Sequence, residues 1–418
     1  MRNLRQKQAS LVHRPIAWHV THWSHDVYSQ GAYSTLLPGG SPAHRAALGD
    51  CLDGRLVIAG EACNPKAPAM VHGAWDDGIR AANLAVRAGA RRVIVIGAGC
   101  AGLGAARHLS AQGIDCVVLE ARERIGGRTH SLQLGPVTVD VGAAWLQQFG
   151  DNAVAREAER LGVRLVGTDF SQPLAAASDG PVDGIEAAWE ALRRGIDRRL
   201  PLTEGVARYL AGLAPAEARA TRYAIEGNLI IEACLPLAEL SVDSLDEEGV
   251  GNDDHFLPGG YRQVIDHLAA GLDIRLGQPV ARIDWQGSDV RVNDALGDFC
   301  ICTVPLGVLK TLQFVPELPQ PQRDALAHLG MGRLEKVVLQ FDRRWWPRSP
   351  TGYLRWYDTP ASWVEWLDLT DAVGTPTVAG LIAADAVERQ FSGRSDEEIA
   401  LAARDALQAW ACAVEAVR

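Results

Sequence analysis

Apolar runs typical of buried strands alternate with stretches of helical period in the first third of the chain. The run at 56–59 is bounded by glycines, and the helical periods end at Gly89 and Gly113. The predicted elements are, in order, a strand at 56–59, a helix at 70–86, a strand at 92–96, a helix at 101–112 and a strand at 116–119. Because helices separate these strands, the pattern indicates a parallel sheet of the α/β class.

The rest of the chain predicts a second domain and a return to strands. Residues 155–245 are rich in Ala, Leu, Glu and Arg, with proline breaks, and predict several helices. Further strands are predicted at 274–276, 280–285, 290–292, 299–304, 335–342 and 377–384, with a closing helix at 395–417. Residues 1–13 are predicted to be a loose tail. Six tryptophans of the last quarter either line an apolar pocket or fill a sheet–helix interface: Trp345, Trp346, Trp356, Trp363, Trp366 and Trp410.

Composition narrows the function classes. The chain has 418 residues, with 47% hydrophobic and 22% charged residues, which is ordinary for a globular protein of two or three domains. The net charge of −10 argues against a nucleic-acid partner. The eight cysteines form no C-x-x-C motif, so we expect no metal and reduced thiols in a cytoplasmic protein. No secretory signal and no membrane-spanning apolar run are found.

A glycine turn carries the clearest chemical signal. Gly97, Gly99 and Gly102 follow an apolar strand and open a helix. In such a turn, the glycines permit a tight bend and close approach of the backbone to a pyrophosphate, and the helix supplies N–H groups. Glu120 ends the next predicted strand, where an acid binds ribose hydroxyls. Together they predict a dinucleotide site, which both NAD and FAD can occupy.

The residues after Glu120 distinguish the two cofactors. Glu120-Ala-Arg122 leads into Gly126-Gly127-Arg128, and Asp140-Val-Gly142-Ala-Ala-Trp145 follows. This stretch resembles the flavin monoamine oxidase family. The resemblance implies FAD as the cofactor and disfavours an NAD-dependent dehydrogenase.

The family's remaining motifs are present in a rotated order. The segments at 255–261, 279–283, 302–319 and 332–341 resemble its middle and later parts. The family's terminal flavin-contacting block is matched at the front instead, by Trp23 to Ser34, Gly60-Glu61-Ala62 and 71–82. We therefore predict a circular permutation that places about 90 residues at the beginning, which a fold with adjacent termini tolerates.

The implied fold is a discontinuous, permuted Rossmann-type FAD-binding domain with an α+β substrate domain of mixed sheet and helices. The FAD-binding domain is expected at 14–168, composed of the permuted block 14–90 and the βαβ unit 91–168, and again at 255–305. The substrate domain is expected at 169–254 and 306–418.

The resemblance also implies roles for individual residues. The expected catalytic residues are Lys336, which holds a water near the flavin, Tyr33 in the aromatic cage, and Glu61 and Arg323 as acid–base candidates. The second cage position is either Trp75 or Met70, and Glu365 is a further pocket candidate. Ala32 stands where covalent members of the family have cysteine, so FAD is expected without a covalent bond. The expected cofactor-binding residues are Gly97, Gly99, Gly102, Glu120, Arg122, Gly127, Arg128, Trp145, Val280, Trp23, Gly60, Glu61 and Val71.

The implied reaction is hydride transfer from a carbon next to nitrogen to the flavin, which gives an imine or iminium. O2 then reoxidises the flavin and yields H2O2. The expected substrate is a small-molecule amine or amide. The rotated order resembles that of a natural-product oxidase, which suggests a large polyketide whose iminium is captured by an intramolecular carbon nucleophile in macrocyclisation. The alternatives are a catabolic monoamine, polyamine or L-amino-acid oxidase, and a non-catalytic FAD-binding scaffold. A homodimer is a further expectation.

Overall fold

The computed structural model describes residues 13–247, 253–358 and 360–417. The tail predicted at residues 1–13 lies almost wholly outside the described residues, as do residues 248–252 of the substrate-domain segment expected at 169–254. Strands are numbered β1 to β22 and helices α1 to α14 in chain order.

The first major element is a five-stranded sheet in which all neighbouring strands run parallel. Its order is β12 (Asp273–Arg275), β5 (Asp115–Leu119), β4 (Arg92–Ile96), β16 (Phe299–Cys302) and β3 (Leu56–Ile58). Val93 and Val95 pack into the core on one face of the sheet, and Ile94 and Ile96 into the core on the other. Burial of both faces explains why these strands are continuously apolar.

Two helices pack on one face of this sheet. They are α2 (Val71–Arg87) and α3 (Cys100–Ala111), which contact each other along their length. Close contact is possible because Gly78 of α2 faces the backbone of α3, where an added Cβ would lie 2.0 Å from the Ala101 carbonyl oxygen. The α2 helix precedes the glycine turn in the chain, and its packing brings the front segment against the first βαβ unit.

The second major element is a six-stranded sheet of mixed direction. Its order is β1 (Ala17–Val20), β19 (Leu334–Gln340), β22 (Thr377–Ala383), β21 (Glu365–Asp368), β20 (Tyr353–Tyr357) and β10 (Leu174–Ala177). Only the β10–β20 pair is parallel. The long helix α14 (Asp396–Val417) packs against this sheet.

The smaller elements surround these two sheets. The remaining strands are β2 (Ser34–Leu36), β6 (Ser131–Leu134), β7 (Val137–Asp140), β8 (Trp145–Leu146), β9 (Val166–Thr168), β11 (Asp254–Phe256), β13 (Arg282–Asp284), β14 (Val290–Val292), β15 (Ala295–Gly297), β17 (Gln313–Val315) and β18 (Leu329–Met331). The remaining helices are α1 (Pro42–Leu48), α4 (Ala153–Arg160), α5 (Ile185–Gly195), α6 (Leu202–Ala211), α7 (Pro215–Ile225), α8 (Ile231–Ala233), α9 (Arg262–Ala269), α10 (Leu306–Leu309), α11 (Gln320–His328), α12 (Thr370–Val373) and α13 (Asp385–Phe391). A π-helical turn at Glu226–Ile230 joins α7 to α8.

The structure adds strands that the sequence pattern did not predict. β9 and β10 lie inside the region predicted as helical, and β20 and β21 lie in the tryptophan-rich segment. All the residues of β20 and β21 are buried, so their sequences lack the alternation by which a half-exposed strand is recognised. The six tryptophans named above pack in the core between the six-stranded sheet and α14 or at its edge, and none of them lines the cavity described below.

The front of the chain is built into both sheets. β3 pairs with β16, and β1 pairs with β19 in the register Val20↔Val337. The first described residue also lies beside the last helix, because Nη1 of Arg404 on α14 donates to the His13 carbonyl oxygen over 3.4 Å. The start of the described chain therefore lies beside the middle of its last helix, at one side of the six-stranded sheet.

Candidate functional site

A cavity of about 460 Å³ lies at the carboxyl ends of the parallel strands. Segments that directly follow four of the five strands line it: Gly60 after β3, Gly97 after β4, Glu120 after β5 and Thr303 after β16. This edge of a parallel sheet is where nucleotide-type ligands bind, because loops and helix N-termini converge there. The cavity extends to β19 and β21 of the other sheet and to the π-helical turn.

The glycine turn has the shape that a bound pyrophosphate requires. Gly97 has φ of +100°, and a Cβ there would lie 2.8 Å from Oγ1 of Thr303. A Cβ on Gly102 would lie 1.9 Å from the Gly97 carbonyl oxygen, so α3 can pack on the turn only with glycine there. A Cβ on Gly99 would meet no atom within 4 Å, and Gly99 lines the cavity. The turn therefore leaves an open cradle that fits a phosphate group.

The acid that follows β5 is held by the same turn. Glu120 is 6% exposed, and its carboxylate accepts hydrogen bonds from the backbone N–H groups of Ala98, over 2.7 Å, and Arg122, over 2.9 Å. The guanidinium of Arg122 pairs with Asp26 and donates to Ser29, so its charge is already partnered by the front segment. Both side chains line the cavity, and Arg122 fixes the front segment over it.

Glu61 and Arg128 form a second link between the front segment and the middle of the chain. Arg128 donates to Oε1 of Glu61 over 2.9 Å and to the Ala32 carbonyl oxygen over 2.9 Å. Glu61 also accepts from the Ser34 hydroxyl over 2.5 Å and from the Ala69 N–H over 3.1 Å. Burial raises the pKa of Glu61, but the charge of Arg128 and the bond from Ser34 outweigh it, so the pKa lies below its usual value. Glu61 is thus an anchor that stays charged at neutral pH and a poor proton donor there.

Lys336 is a buried cation on β19. It is 3% exposed, and its Nζ donates to the carbonyl oxygens of Gly142, over 2.7 Å, and Asp140, over 3.2 Å. Nζ also lies 5.9 Å from the centre of the Trp145 ring. Burial lowers the pKa of Lys336 to about 8, although Asp140 and Glu365 favour its charged form. Its ammonium group can therefore lose a proton near physiological pH.

We call the part of the cavity next to the six-stranded sheet and the π-helical turn the inner chamber. Its lining comprises Tyr33, Trp145, Asn228, Leu229, Ile231, Glu232, Leu334, Lys336, Glu365 and Leu381. The strand register places Lys336, Leu381, Glu365 and Arg355 in one row across four neighbouring strands. Lys336, Leu381 and Glu365 of this row line the chamber, and Arg355 lies next to Glu365 outside the lining.

Two carboxyl groups of the inner chamber differ in their partners. Glu365 is 2% exposed, and its Oε2 lies 3.7 Å from Nη2 of Arg355. Burial raises the pKa of Glu365 despite that partner. Glu232, which follows the π-helical turn, forms no hydrogen bond or ion pair through its carboxylate with any residue in the described parts of the chain. Burial and the nearby Glu365 raise the pKa of Glu232 to about 8.

The structure settles where the other predicted residues lie. Trp23, Gly60, Val71, Gly127 and Val280 line the cavity, as do the residues already described. Of the two candidates for the second cage position, Met70 lines the cavity, whereas Trp75 packs against Gly104 of α3. The phenol oxygen of Tyr33 lies 2.9 Å from Sγ of Cys234.

Arg323 is not in the cavity, contrary to the expectation that it acts beside Glu61. Its guanidinium donates to the Leu318 carbonyl oxygen over 2.6 Å and to Gln320 over 2.8 Å. The side chain is 48% exposed and lies at a separate, open depression beside α11. The first turn of α11 uses the guanidinium to satisfy a local carbonyl group, which directs it away from Glu61.

Sequence reasoning missed Glu232 and Arg355. Nothing in the sequence near them resembles a motif, and their position depends on the π-helical turn. Nη1 of Arg355 donates to the carbonyl oxygen of Gly227 in that turn. Arg355 thus joins the turn to Glu365 and holds two walls of the inner chamber together. π-helical turns often occur at functional sites, but they are not visible in a sequence.

Comparison with known proteins identifies the family. The model of the flavin-containing amine oxidoreductase family matches residues 1–86, 100–229 and 221–416. The chain belongs to this family. It is an oxidoreductase that acts on CH–N bonds, and its cofactor is FAD.

Individual relatives agree with this assignment. Polyamine oxidase 4 of Oryza sativa subsp. japonica is 31% identical over 350 residues, which cover 73% of this chain and 70% of the relative. Lysine-specific histone demethylase 1 homolog 1 of the same plant is 34% identical over 295 residues, but the match spans only 34% of that protein. A putrescine oxidase structure has the same fold, with a TM-score of 0.59 at 21% identity, over 77% of this chain and 81% of that chain.

The mixed α/β fold expected for an FAD-dependent amine oxidase is confirmed by this likeness. Within the described residues, no helix combines the length and the apolar character needed to cross a bilayer.

Proposed function

We propose that this amine oxidoreductase oxidises an amine that carries a second positive charge, such as a diamine or polyamine. The observation that carries the proposal is the unpartnered carboxyl group of Glu232 in the inner chamber, together with Glu365. Glu232 is half-buried, and a carboxylate without a partner in such a place is costly. A substrate ammonium group would remove that cost. The similarity to a plant polyamine oxidase agrees with this substrate class.

Different residues of the cavity serve cofactor binding and substrate oxidation. FAD, when bound, accepts a hydride from the carbon next to the substrate nitrogen and passes the electrons to O2, which yields H2O2. The glycine turn and Glu120 hold the nucleotide part, and Arg128, fixed by Glu61, offsets the charge of the pyrophosphate. Tyr33 and Trp145 bound the chamber with aromatic surface. Lys336 supplies a cation beside Trp145 that can release its proton near pH 8.

We further infer that the chain is circularly permuted, with residues 14–90 as the displaced terminal block of the FAD-binding domain. Several observations support this. The family model matches the front of the chain as a segment of its own. The first described residue lies beside α14, the last helix of the described chain, so the two ends lie on the same side of the molecule's six-stranded sheet. The ion pairs Arg122–Asp26 and Arg128–Glu61 join the front block to the rest around one cavity. We keep the domain boundaries given above as part of this proposal.

If the chain is permuted, it should tolerate a rearrangement that moves the front block back to the C-terminal end. A rearranged chain that starts at residue 91 and carries residues 14–90 after residue 418, through a flexible linker long enough to run back along α14 to Arg404, is expected to fold and bind FAD with unchanged affinity. The matched control opens the chain within β19 instead, where a break disrupts seven paired residues. If the rearranged chain behaves as poorly as this control, the ends do not belong together and the inference fails.

A second candidate substrate is a neutral amide, including a large amide-bearing polyketide whose iminium is captured by an intramolecular carbon nucleophile, as in lankacidin-type macrocyclisation. The raised pKa values of Glu232 and Glu365 favour it, because a protonated carboxyl group donates a hydrogen bond to a carbonyl oxygen without needing a cation. The permuted order, which resembles that of a natural-product oxidase, also supports this candidate.

One experiment separates the two candidates. Peroxide release is measured with putrescine, spermidine, a monoamine of the same length and a linear amide-bearing precursor. A dicationic substrate predicts a much higher kcat/KM for putrescine or spermidine than for the monoamine, and a loss of this preference in Glu232→Gln. Glu226→Gln, which alters a residue of the same π-helical turn outside the cavity lining, is the matched control. Release of a product two hydrogens lighter from the amide alone would instead establish the second candidate and refute the first.

A further inference from the structure

Glu335 is a buried carboxylate next to Lys336 that the proposed reaction does not use. It is 1% exposed and belongs to β19. Its Oε2 accepts from the Thr21 hydroxyl over 2.6 Å and from the Trp23 N–H over 2.9 Å, and its Oε1 accepts from the Ser24 N–H over 2.8 Å. No cation in the described residues forms an ion pair with it. Three donors from a single front segment thus carry the whole stabilisation of this charge.

Thr21 transmits this anchoring to the backbone of Lys336. A carboxylate oxygen has no hydrogen to give, so the Thr21 hydroxyl must donate to Glu335, and its lone pair accepts the Lys336 N–H over 2.7 Å. The Thr21 N–H donates to the Lys336 carbonyl oxygen over 3.0 Å. Removal of the Glu335 charge would free the Thr21 hydroxyl to rotate and loosen this link.

The same segment delivers Trp23 to the cavity wall. Trp23 starts a short 3-10 turn, Trp23–His25, and its ring lines the cavity with its Nε1 donating to the Val141 carbonyl oxygen over 3.0 Å. Val141 and Gly142 lie between Asp140, whose carbonyl oxygen accepts from Lys336, and Trp145. Glu335 therefore lies behind two cavity side chains, Trp23 and Lys336, that come from opposite ends of the chain.

We propose that Glu335 is a positioning residue that seats Trp23 beside Lys336 and so shapes the cofactor cavity. The inference rests on the proposed site of FAD. It does not depend on the identity of the substrate.

The test replaces the carboxylate by an isosteric amide. In Glu335→Gln, one carboxylate oxygen becomes an NH2 group, which must face at least one of the three donors. We expect the FAD dissociation constant of the apoprotein, measured by titration, to rise about tenfold or more, because the cavity wall is no longer seated. The melting temperature of the apoprotein, measured in parallel, is expected to fall as well.

Asp368→Asn is the matched control for stability alone. Asp368 on β21 is also a buried carboxylate with three donors, from Arg344, Trp346 and Thr370, but it does not line the cavity. It is expected to lower the melting temperature of the apoprotein while the FAD dissociation constant stays within about twofold of the original value. An equal loss of FAD affinity in both variants would reduce Glu335 to a general structural role and overturn the inference.

A gentler pair of variants covers the case in which Glu335→Gln does not fold. Thr21→Ser keeps the hydroxyl and is expected to retain FAD affinity, whereas Thr21→Val removes it and is expected to weaken FAD binding. Equal affinities in Thr21→Ser and Thr21→Val would contradict the proposal. Absence of FAD binding in the unaltered chain would be a different result, since it refutes the proposed function itself.

Discussion

The ion pair between Glu61 and Arg128 offers the sharpest test of the site energetics. The side chain of Glu61 is 6% exposed, and that of Arg128 is 24% exposed. Removal of one partner of a buried ion pair lowers the free energy of unfolding by roughly 3–5 kcal/mol, because the other charge is left buried and unpaired. In Glu61→Gln, the amide oxygen still accepts a hydrogen bond from Ser34 or Ala69, and Arg128 stays partly hydrated. We therefore expect the free energy of unfolding to fall by about 3 kcal/mol at pH 7, the lower end of this range.

The pH dependence of this loss follows from the sign of the pKa shift. The pKa of Glu61 is lower in the folded protein than in the unfolded chain. Its pairing therefore stabilises the fold fully above the unfolded value of about 4.3, and this contribution is lost as the pH falls through the lower folded value. The free-energy difference between the original chain and Glu61→Gln is expected to be largest at neutral pH and to shrink below about pH 4.

Guanidinium-induced unfolding of the apoprotein at a series of pH values measures this difference. A double-mutant cycle with Arg128→Met isolates the pair, and the coupling energy should account for most of the loss. A difference that stays constant from pH 7 to the acid limit, or a coupling energy near zero, would refute the reasoning that Glu61 acts as a charged anchor.

Three further predictions follow from the geometry of the cavity. Gly99→Val should leave the stability of the apoprotein nearly unchanged but weaken FAD binding by about 100-fold, since the valine side chain would fill the open cradle. Gly102→Ala should instead lower the melting temperature of the apoprotein, because the alanine Cβ would lie 1.9 Å from the Gly97 carbonyl oxygen. Arg323→Ala should keep kcat/KM within about twofold of the original value, because Arg323 lies outside the cavity, and a loss of several hundredfold would contradict this placement. Lys336→Met should remove an alkaline limb with a midpoint near pH 8 from the pH profile of O2 consumption. If the limb persists, it belongs to another group, and its loss in Glu232→Gln would assign it to Glu232, whose pKa is also raised to about 8.

Much of the fold was readable from the sequence where short-range rules apply. The strands and helices between residues 56 and 119 were predicted within one or two residues, because each is bounded by glycine or follows a clear period. The glycine turn was equally legible, since its spacing reflects contacts such as that between Gly97 and Gly102. β20 and β21 were missed because full burial removes their alternation.

The site residues, too, were predictable only where a local motif determines their position. Residues in the glycine turn and in the motif after Glu120, such as Gly99 and Arg128, were predicted from the sequence and line the cavity. Arg323 was misplaced because the direction of its side chain depends on a local bond to Leu318. Glu232 was missed because it reaches the chamber only through the π-helical turn that Arg355 fixes. Contacts with distant parts of the chain determine where such residues lie, and a local sequence pattern does not reveal those contacts.

The account depends most on the claim that the front block and the middle of the chain enclose one FAD molecule. Hydrogen exchange of the apoprotein with and without FAD measures this directly, because bound cofactor protects the backbone amides around it. Protection is predicted in two separated groups of segments, 23–34 and 60–74 from the front block, and 96–102 and 126–129 from the middle. Protection confined to the middle segments, with unchanged exchange at 23–34 and 60–74, would contradict the account.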